Sequence, residues 1–114
     1  MDLTDGQAEI LGTVRRLPNA TVRDIWNDIL KRKKLTYTTV GTTLDRLYRK
    51  GLLIRTRKIG PGGQTYIYSA GCNIDIQTDI IQSVLRRLIT VFGLSIVPII
   101  YESLSELADE ERER

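Results

Sequence analysis

The sequence predicts an α+β chain that is mainly α, and three observations predict it. Apolar residues recur at the helical period of 3.6 through residues 5–50, the period changes to 2 between Leu52 and Ser69, and helical spacing returns from Ile80 to Leu107. A hairpin set between two groups of helices follows. The 114 residues suffice for one small domain and an appendage, and 41% of them are hydrophobic, enough to build a core.

Thr4 followed three residues later by Gln7 is a capping-box pattern, and Ile10, Leu11, Val14 and Leu17 come next at helical spacing. The first helix is expected from Asp5 to about Arg16. Pro18 and Asn19 break it, leaving Ala20 and Thr21 as a short extended link. Thr21 and Asp24 repeat the capping logic, and Val22, Ile25, Trp26, Ile29 and Leu30 form an i, i+3, i+4, i+7, i+8 stripe that puts Trp26 in the core. This second helix is expected to end in the cations Lys31, Arg32, Lys33 and Lys34. Two readings of the run stand side by side. It complements the helix dipole, and it lies in the turn before the next helix, where phosphates flanking a DNA groove would sit.

The third helix is bounded by Thr36, an N-cap residue type, and Gly51, the residue type that closes a helix in the left-handed conformation. At 100° per residue Val40, Leu44, Leu47 and Tyr48 share one side, and Thr38, Thr42, Asp45 and Arg49 share the other, with Thr39 and Arg46 flanking them. Threonine is a mediocre helix former, so helix propensity did not select Thr38, Thr39, Thr42 and Thr43. A short hydroxyl with a methyl suits close approach to phosphates, base edges and thymine, and arginine adds guanine and phosphate recognition. The alternative is an ordinary amphipathic helix with a polar back.

After Gly51, strands are expected at Leu52 to Ile59 and Gln64 to Ser69, joined by Gly60-Pro61-Gly62-Gly63. Arg55, Arg57 and Lys58 with the glycine tip make a slim basic finger able to touch DNA backbone, and equally a solvated hairpin. Tyr66 and Tyr68 share a strand face and are expected to pack. Helix, short strand, two helices and a hairpin make a winged helix-turn-helix.

The last third carries Ile80, Ile81, Val84, Leu85, Leu88, Ile89 and Phe92 as one helical stripe and Ile96, Val97, Ile100, Tyr101, Leu104 and Leu107 as another, separated at Gly93. Pro98 falls in the first turn of the second helix, where its missing N–H costs little. A small winged helix would struggle to bury both stripes. The expected organisation is therefore a DNA-binding domain over residues 1–70 and a two-helix dimerisation arm over residues 71–114, with Ile81, Leu85, Leu88, Phe92, Ile96, Ile100 and Leu104 facing a second copy; the alternative folds both helices back on their own domain. The terminal DEERER is expected to fray.

Net charge is +3, but residues 1–70 hold 13 Lys and Arg against 6 Asp and Glu, a balance of +7, while residues 71–114 hold 4 against 8, a balance of −4. That polarity favours a polyanionic partner for the front half. With no histidine, Ser-His-Asp and Cys-His chemistry and imidazole metal sites are excluded, and a single cysteine, Cys72, makes neither an intrachain disulfide nor a thiolate cluster. Cys72 reads as a small semi-buried residue or as a redox or intermolecular thiol. No cofactor, metal site or enzymatic constellation is expected. No basic segment with an apolar core opens the chain, and the most apolar run, residues 91–101, is interrupted by Gly93, Ser95 and Pro98. A cytoplasmic protein without membrane contact is the expectation.

Residues 3–70, with LTDGQAEIL at the start, YTTVGTTLDRLYRKGLL in the middle and GQTYIYSA at the end of the hairpin, resemble the penicillinase-repressor family of the BlaI/MecI and CopY type. Tyr37-Thr38-Thr39-Val40, then Thr42, Leu44, Arg46 and Leu47, then Lys50-Gly51-Leu52 match that family's recognition helix and exit in register. The resemblance implies a homodimeric transcriptional repressor that binds double-stranded DNA at a palindromic operator. The helix from Thr36 to Lys50 would enter the major groove, and the wing from Arg57 to Gln64 would touch flanking backbone. The candidate DNA-binding residues are thus Tyr37, Thr38, Thr39, Thr42, Arg46, Arg49, Lys33, Lys34, Arg55, Arg57, Lys58 and Gln64. Copper-responsive members carry a cysteine-rich C-terminal metal site that this chain lacks, and no proteolytic cleavage motif like that of antibiotic-responsive members is recognisable. The competing class is a winged-helix module that binds protein, which would expose apolar residues on the outer face of Thr38 to Arg49. Asp45 fits a DNA-facing stripe only if it accepts from cytosine or orients Arg46 or Arg49.

Overall fold

The computed structural model describes residues 2–71 and 73–114, so Cys72 lies outside the described residues. The elements are α1 (Asp5–Arg16), β1 (Ala20–Thr21), α2 (Val22–Ile29), α3 (Tyr37–Arg49), β2 (Leu53–Gly60), β3 (Gly63–Ala70), α4 (Ile74–Phe92) and α5 (Val97–Glu113), with a 3-10 turn at Leu94–Ile96. Both capping boxes form: the Thr4 hydroxyl accepts from the Gln7 N–H at 3.1 Å and the Thr21 hydroxyl from the Asp24 N–H at 3.2 Å, with the reciprocal side-chain bonds in place. Asn19 takes φ 60° at the break between α1 and β1.

The three strands make one antiparallel sheet in the order β1-β3-β2, with Gly60 opposite Gly63. Each hairpin strand is therefore longer at the tip than the sequence spacing suggests, and the reversal is confined to Pro61 and Gly62. Proline supplies the turn's fixed φ, and Gly63 adopts φ 100°, a conformation costly for any side chain.

The core is assembled from the inward stripes of the first three helices: Ile10, Val14, Ile25, Ile29, Val40, Leu44 and Leu47, closed by Ala20, Leu52, Leu53 and Tyr68. Each fully buried aliphatic side chain contributes about 1.5–3 kcal/mol, so α3 is fixed by Val40, Leu44 and Leu47 and leaves its other side free. Two expectations need correction. Tyr48 is exposed, since it sits at the margin of the stripe and its ring turns toward the hairpin. Trp26 is only partly buried, because its indole N–H donates to the Leu35 carbonyl at 2.7 Å, which holds the ring across the turn before α3.

α2 also ends earlier than the cation run implied, at Ile29 with Leu30 as its cap, so no cation lies in its last turn. Arg32 instead fastens α1 to the end of α2. Its Nε donates to Glu9 at 2.6 Å, Nη1 to Asp28 at 3.0 Å and Nη2 to the buried Thr13 hydroxyl at 3.0 Å. The hydrogen bond from Arg32 holds the Glu9 carboxyl below its ordinary value of 4.5, helped by the nearby charges of Lys33 and Arg16. A depressed carboxyl stabilises the fold above its unfolded pKa and loses that contribution as pH falls through the folded value. Stability in urea is accordingly expected to drop as pH goes below 4.5, with a shallower drop in Glu9→Gln. An identical acid limb in the variant would mean the pair contributes nothing.

The chain divides into two compact units, one running to Ile80 and the other from Ile81 to Arg114. The first includes the start of α4, where the Asn73 side chain accepts from the Ile76 N–H at 3.2 Å as an N-cap and Ile76 and Ile80 pack on the core. In the second, Gly93 at φ 84° ends α4, and Pro98 occupies the opening turn of α5. α5 continues through the DEERER segment to Glu113, with Arg112 on Asp109 at 3.2 Å. The expected fraying gives way to helix held by i,i+3 pairs. Among the described residues no single helix is long and apolar enough to cross a membrane.

Candidate nucleic-acid interface

Helix α3 is prepared at both ends. The Thr36 hydroxyl accepts from the Thr39 N–H at 3.1 Å and donates to the Thr39 hydroxyl at 2.8 Å, so Thr39 is partly committed to the cap. At the other end Gly51 takes φ 82°, its N–H bonds the Tyr48 carbonyl and the Leu52 N–H bonds the Leu47 carbonyl, both at 3.0 Å. This is a Schellman closure, which satisfies the last carbonyls and turns the chain directly into β2. A side chain at Gly51 would also bring Cβ within 2.8 Å of Ile76 Cδ1.

The outward stripe of α3 carries Thr38, Thr42 and Arg46, all exposed, and Arg49. Thr38 to Arg49 spans about 16 Å of helix, roughly the length of five stacked base pairs. Among the described residues nothing engages the hydroxyls of Thr38 and Thr42 or the guanidinium of Arg46, so these groups remain available to a partner. Tyr37 opens the helix, edge-on to Trp26 at 5.7 Å between ring centroids and 5.4 Å below the Arg23 guanidinium. Lys33 and Lys34 are exposed in the turn before it.

Asp45, the misfit of the stripe, is already occupied. Arg49 Nε donates to its Oδ2 and Arg55 Nη1 to its Oδ1, each at 2.8 Å. The hydrogen bond from Arg49 and then that from Arg55 hold the Asp45 carboxyl below the usual carboxylate range. The trio carries a net +1, so the carboxylate does not leave the stripe negative.

The predicted cations of the hairpin separate into two kinds. Arg57, Lys58 and Gln64 are exposed toward the tip, with Arg57 opposite Tyr66 and on the same sheet face, and Lys58 on the other face. Arg55 is enclosed: its side chain is 17% exposed and lies between the rings of Tyr48 and Tyr66. In the run before α3, Arg32 is committed to Glu9, Asp28 and Thr13 and Lys31 lies 3.9 Å from Asp28, so among the described residues Lys33 and Lys34 are the cations of that run without an ion pair. Of the candidate residues, the geometry brings Arg49 and Arg55 together on Asp45, while Thr38, Thr42 and Arg46 share the exposed stripe of α3 without joining that cluster.

Of the residues expected at an interface between copies, Ile81, Phe92 and Leu104 are 57%, 63% and 59% exposed, and Leu85, Leu88, Ile96 and Ile100 are half-buried. Leu88, Phe92, Ile96, Ile99, Ile100 and Leu104, with Ser103, line an apolar groove of about 470 Å³. No group of three or more His, Cys, Asp or Glu among the described residues is placed to hold a metal ion.

A family model described as penicillinase repressor matches residues 3–113. No curated protein sequence matches the chain. Among solved structures, a possible transcriptional regulator from Methanosarcina mazei Go1 is similar at 21% identity and a TM-score of 0.55, covering 82% of this chain and 77% of that one. MarR aligns at 21% identity and 0.51 over 98% of this chain and 81% of its own. The PcaV transcriptional regulator from Streptomyces coelicolor aligns at 17% identity and 0.51 over 94% and 75%. At these identities the likeness is one of fold.

Proposed function

The chain belongs to the penicillinase-repressor family of winged-helix transcription regulators, which bind DNA, and from that premise we propose that it is a sequence-specific repressor acting as a homodimer on a palindromic operator. The observation that carries the reading is the outward stripe of α3, where Thr38, Thr42 and Arg46 are exposed and, among the described residues, unengaged, while Asp45 is neutralised from within. A face built to bind protein would present apolar side chains there. In this reading α3 with its caps Thr36 and Lys50 lies in the major groove, Thr38, Thr39, Thr42 and Arg46 meet base edges and nearby phosphates, and Tyr37, Arg49, Lys33 and Lys34 meet flanking phosphates. Arg57, Lys58 and Gln64 reach the backbone beyond. The exposed apolar set on α4 and α5, with the groove at Leu88 and Ile100, supports pairing with a second copy. A twofold pair presents two α3 helices about one DNA turn apart, which selects a palindrome.

Footprinting on the DNA upstream of its own gene, at two salt concentrations and with unrelated competitor, tests the proposal. A protected palindrome whose affinity falls steeply with salt is expected. Weak, uniform binding abolished by competitor would overturn it. In the same titration Arg46→Ala is expected to lose about 1–3 kcal/mol of operator binding. Unchanged affinity would remove Arg46 from the contact set.

A further inference from the structure

We infer that Arg55 is a positioning residue that locks the hairpin to the recognition helix, with Asp45, Tyr48 and Tyr66 as its lock, and that this sets how the wing engages DNA beyond the half-site. The inference rests on the DNA-binding reading above. Arg55 Nη1 bonds Asp45 Oδ1 at 2.8 Å, and its guanidinium carbon lies 4.0 Å from the Tyr48 ring centroid and 4.1 Å from that of Tyr66. Asp45 and Tyr48 belong to α3, Tyr66 to β3 and Arg55 to β2, so one planar cation joins all three elements. Stacking on two rings while bonding a carboxylate edge-on uses the flat fork that only arginine supplies. With its side chain 17% exposed, the group is spent on the protein and not on phosphates.

The leverage is geometric. Gly60 lies five residues beyond Arg55 on an extended strand, about 17 Å away, so a tilt of about 10° at Arg55 displaces the tip by about 3 Å. That displacement breaks a hydrogen bond to phosphate. Asp45 also holds Arg49 by its Nε, and the rest of the Arg49 side chain stays open to solvent, 72% exposed. The lock therefore aligns two contact groups, the wing tip and Arg49, with the stripe of α3.

Two conservative variants separate this role from direct contact and from bulk electrostatics. The probes are the duplex protected in the footprint and the same duplex trimmed to its two half-sites, and the parent is expected to bind the longer one more tightly. Arg55→Lys keeps the charge, so a phosphate contact would survive it. The lock does not, and binding to the longer duplex should weaken about tenfold while binding to the trimmed duplex stays near the parent's. Asp45→Asn removes a negative charge from a DNA-facing helix, which by Coulomb's law alone would tighten binding. The lock predicts weakening of about fivefold to tenfold instead. Thermal melting of each variant is followed alongside, and Tyr66→Leu, at an exposed strand position, provides a third variant that removes one plate without touching a charge. Arg55→Lys binding both duplexes like the parent, Asp45→Asn binding more tightly, or a parent indifferent to the flanks would each overturn the inference while leaving the repressor reading intact. A parent that binds neither duplex would overturn both.

Discussion

Leu88→Glu combined with Ile100→Glu is expected to give a monomer that binds the operator at least about a hundredfold more weakly than the parent. The two side chains lie half-buried in the apolar groove of the second unit, and neither belongs to the core of the first. Their replacement should leave the winged helix folded. Two carboxylates in a groove lined otherwise by Phe92, Ile96, Ile99 and Leu104 would lose their hydration if a second copy covered them, and desolvating unpaired charges costs more than the apolar contact returns. If the protein pairs as proposed, loss of the pair leaves each half-site bound alone, and the gain of roughly 10²–10⁴ from linking two modules disappears. Sedimentation together with operator titration checks this. A double variant that still sediments as a dimer would place the interface elsewhere than on α4 and α5.

Much of this architecture was legible in the sequence because local chemistry and tertiary packing agree there. Thr4 with Gln7 and Thr21 with Asp24 each open a stripe of the right period, Thr36 and Gly51 bracket a third, and the structure puts Ile10, Val14, Ile25, Ile29, Val40, Leu44 and Leu47 inside. Residues whose role depends on a partner distant in sequence were read less well. Arg32 looked like one of four equivalent cations, yet it is set apart by Glu9, which lies 23 positions earlier and which no local pattern connects to it. Arg55 looked like a wing contact. Its enclosure depends on Tyr48 lying at the edge of the helix stripe and on the strand register that puts Arg55 opposite Tyr68 and diagonal to Tyr66. The period-2 face shared by Arg55, Tyr66 and Tyr68, read together with a carboxylate one turn before Arg49, was the signal available. It becomes decisive only once the register is known.

Leu44→Ala is expected to abolish operator binding by a different route from Arg46→Ala, although the two residues stand two positions apart on one helix. Leu44 is fully buried at the centre of the core, where truncation removes apolar contacts and leaves a cavity, at a cost of about 2–5 kcal/mol. Small domains have only about 5–15 kcal/mol in total, so this one substitution consumes a large share of the stability. In urea the unfolding midpoint should fall sharply, and binding should vanish at temperatures where the parent is still folded. Arg46 is exposed and engages nothing within the chain among the described residues, so Arg46→Ala should unfold where the parent does and lose only affinity. A Leu44→Ala variant as resistant to urea as the parent would contradict the packing of α3 on α1 and α2. The pair separates two parts of one helix: an inner face whose burial holds the fold together, and an outer stripe on which, among the described residues, Thr38, Thr42 and Arg46 carry no internal bond and stand open to the proposed DNA contact.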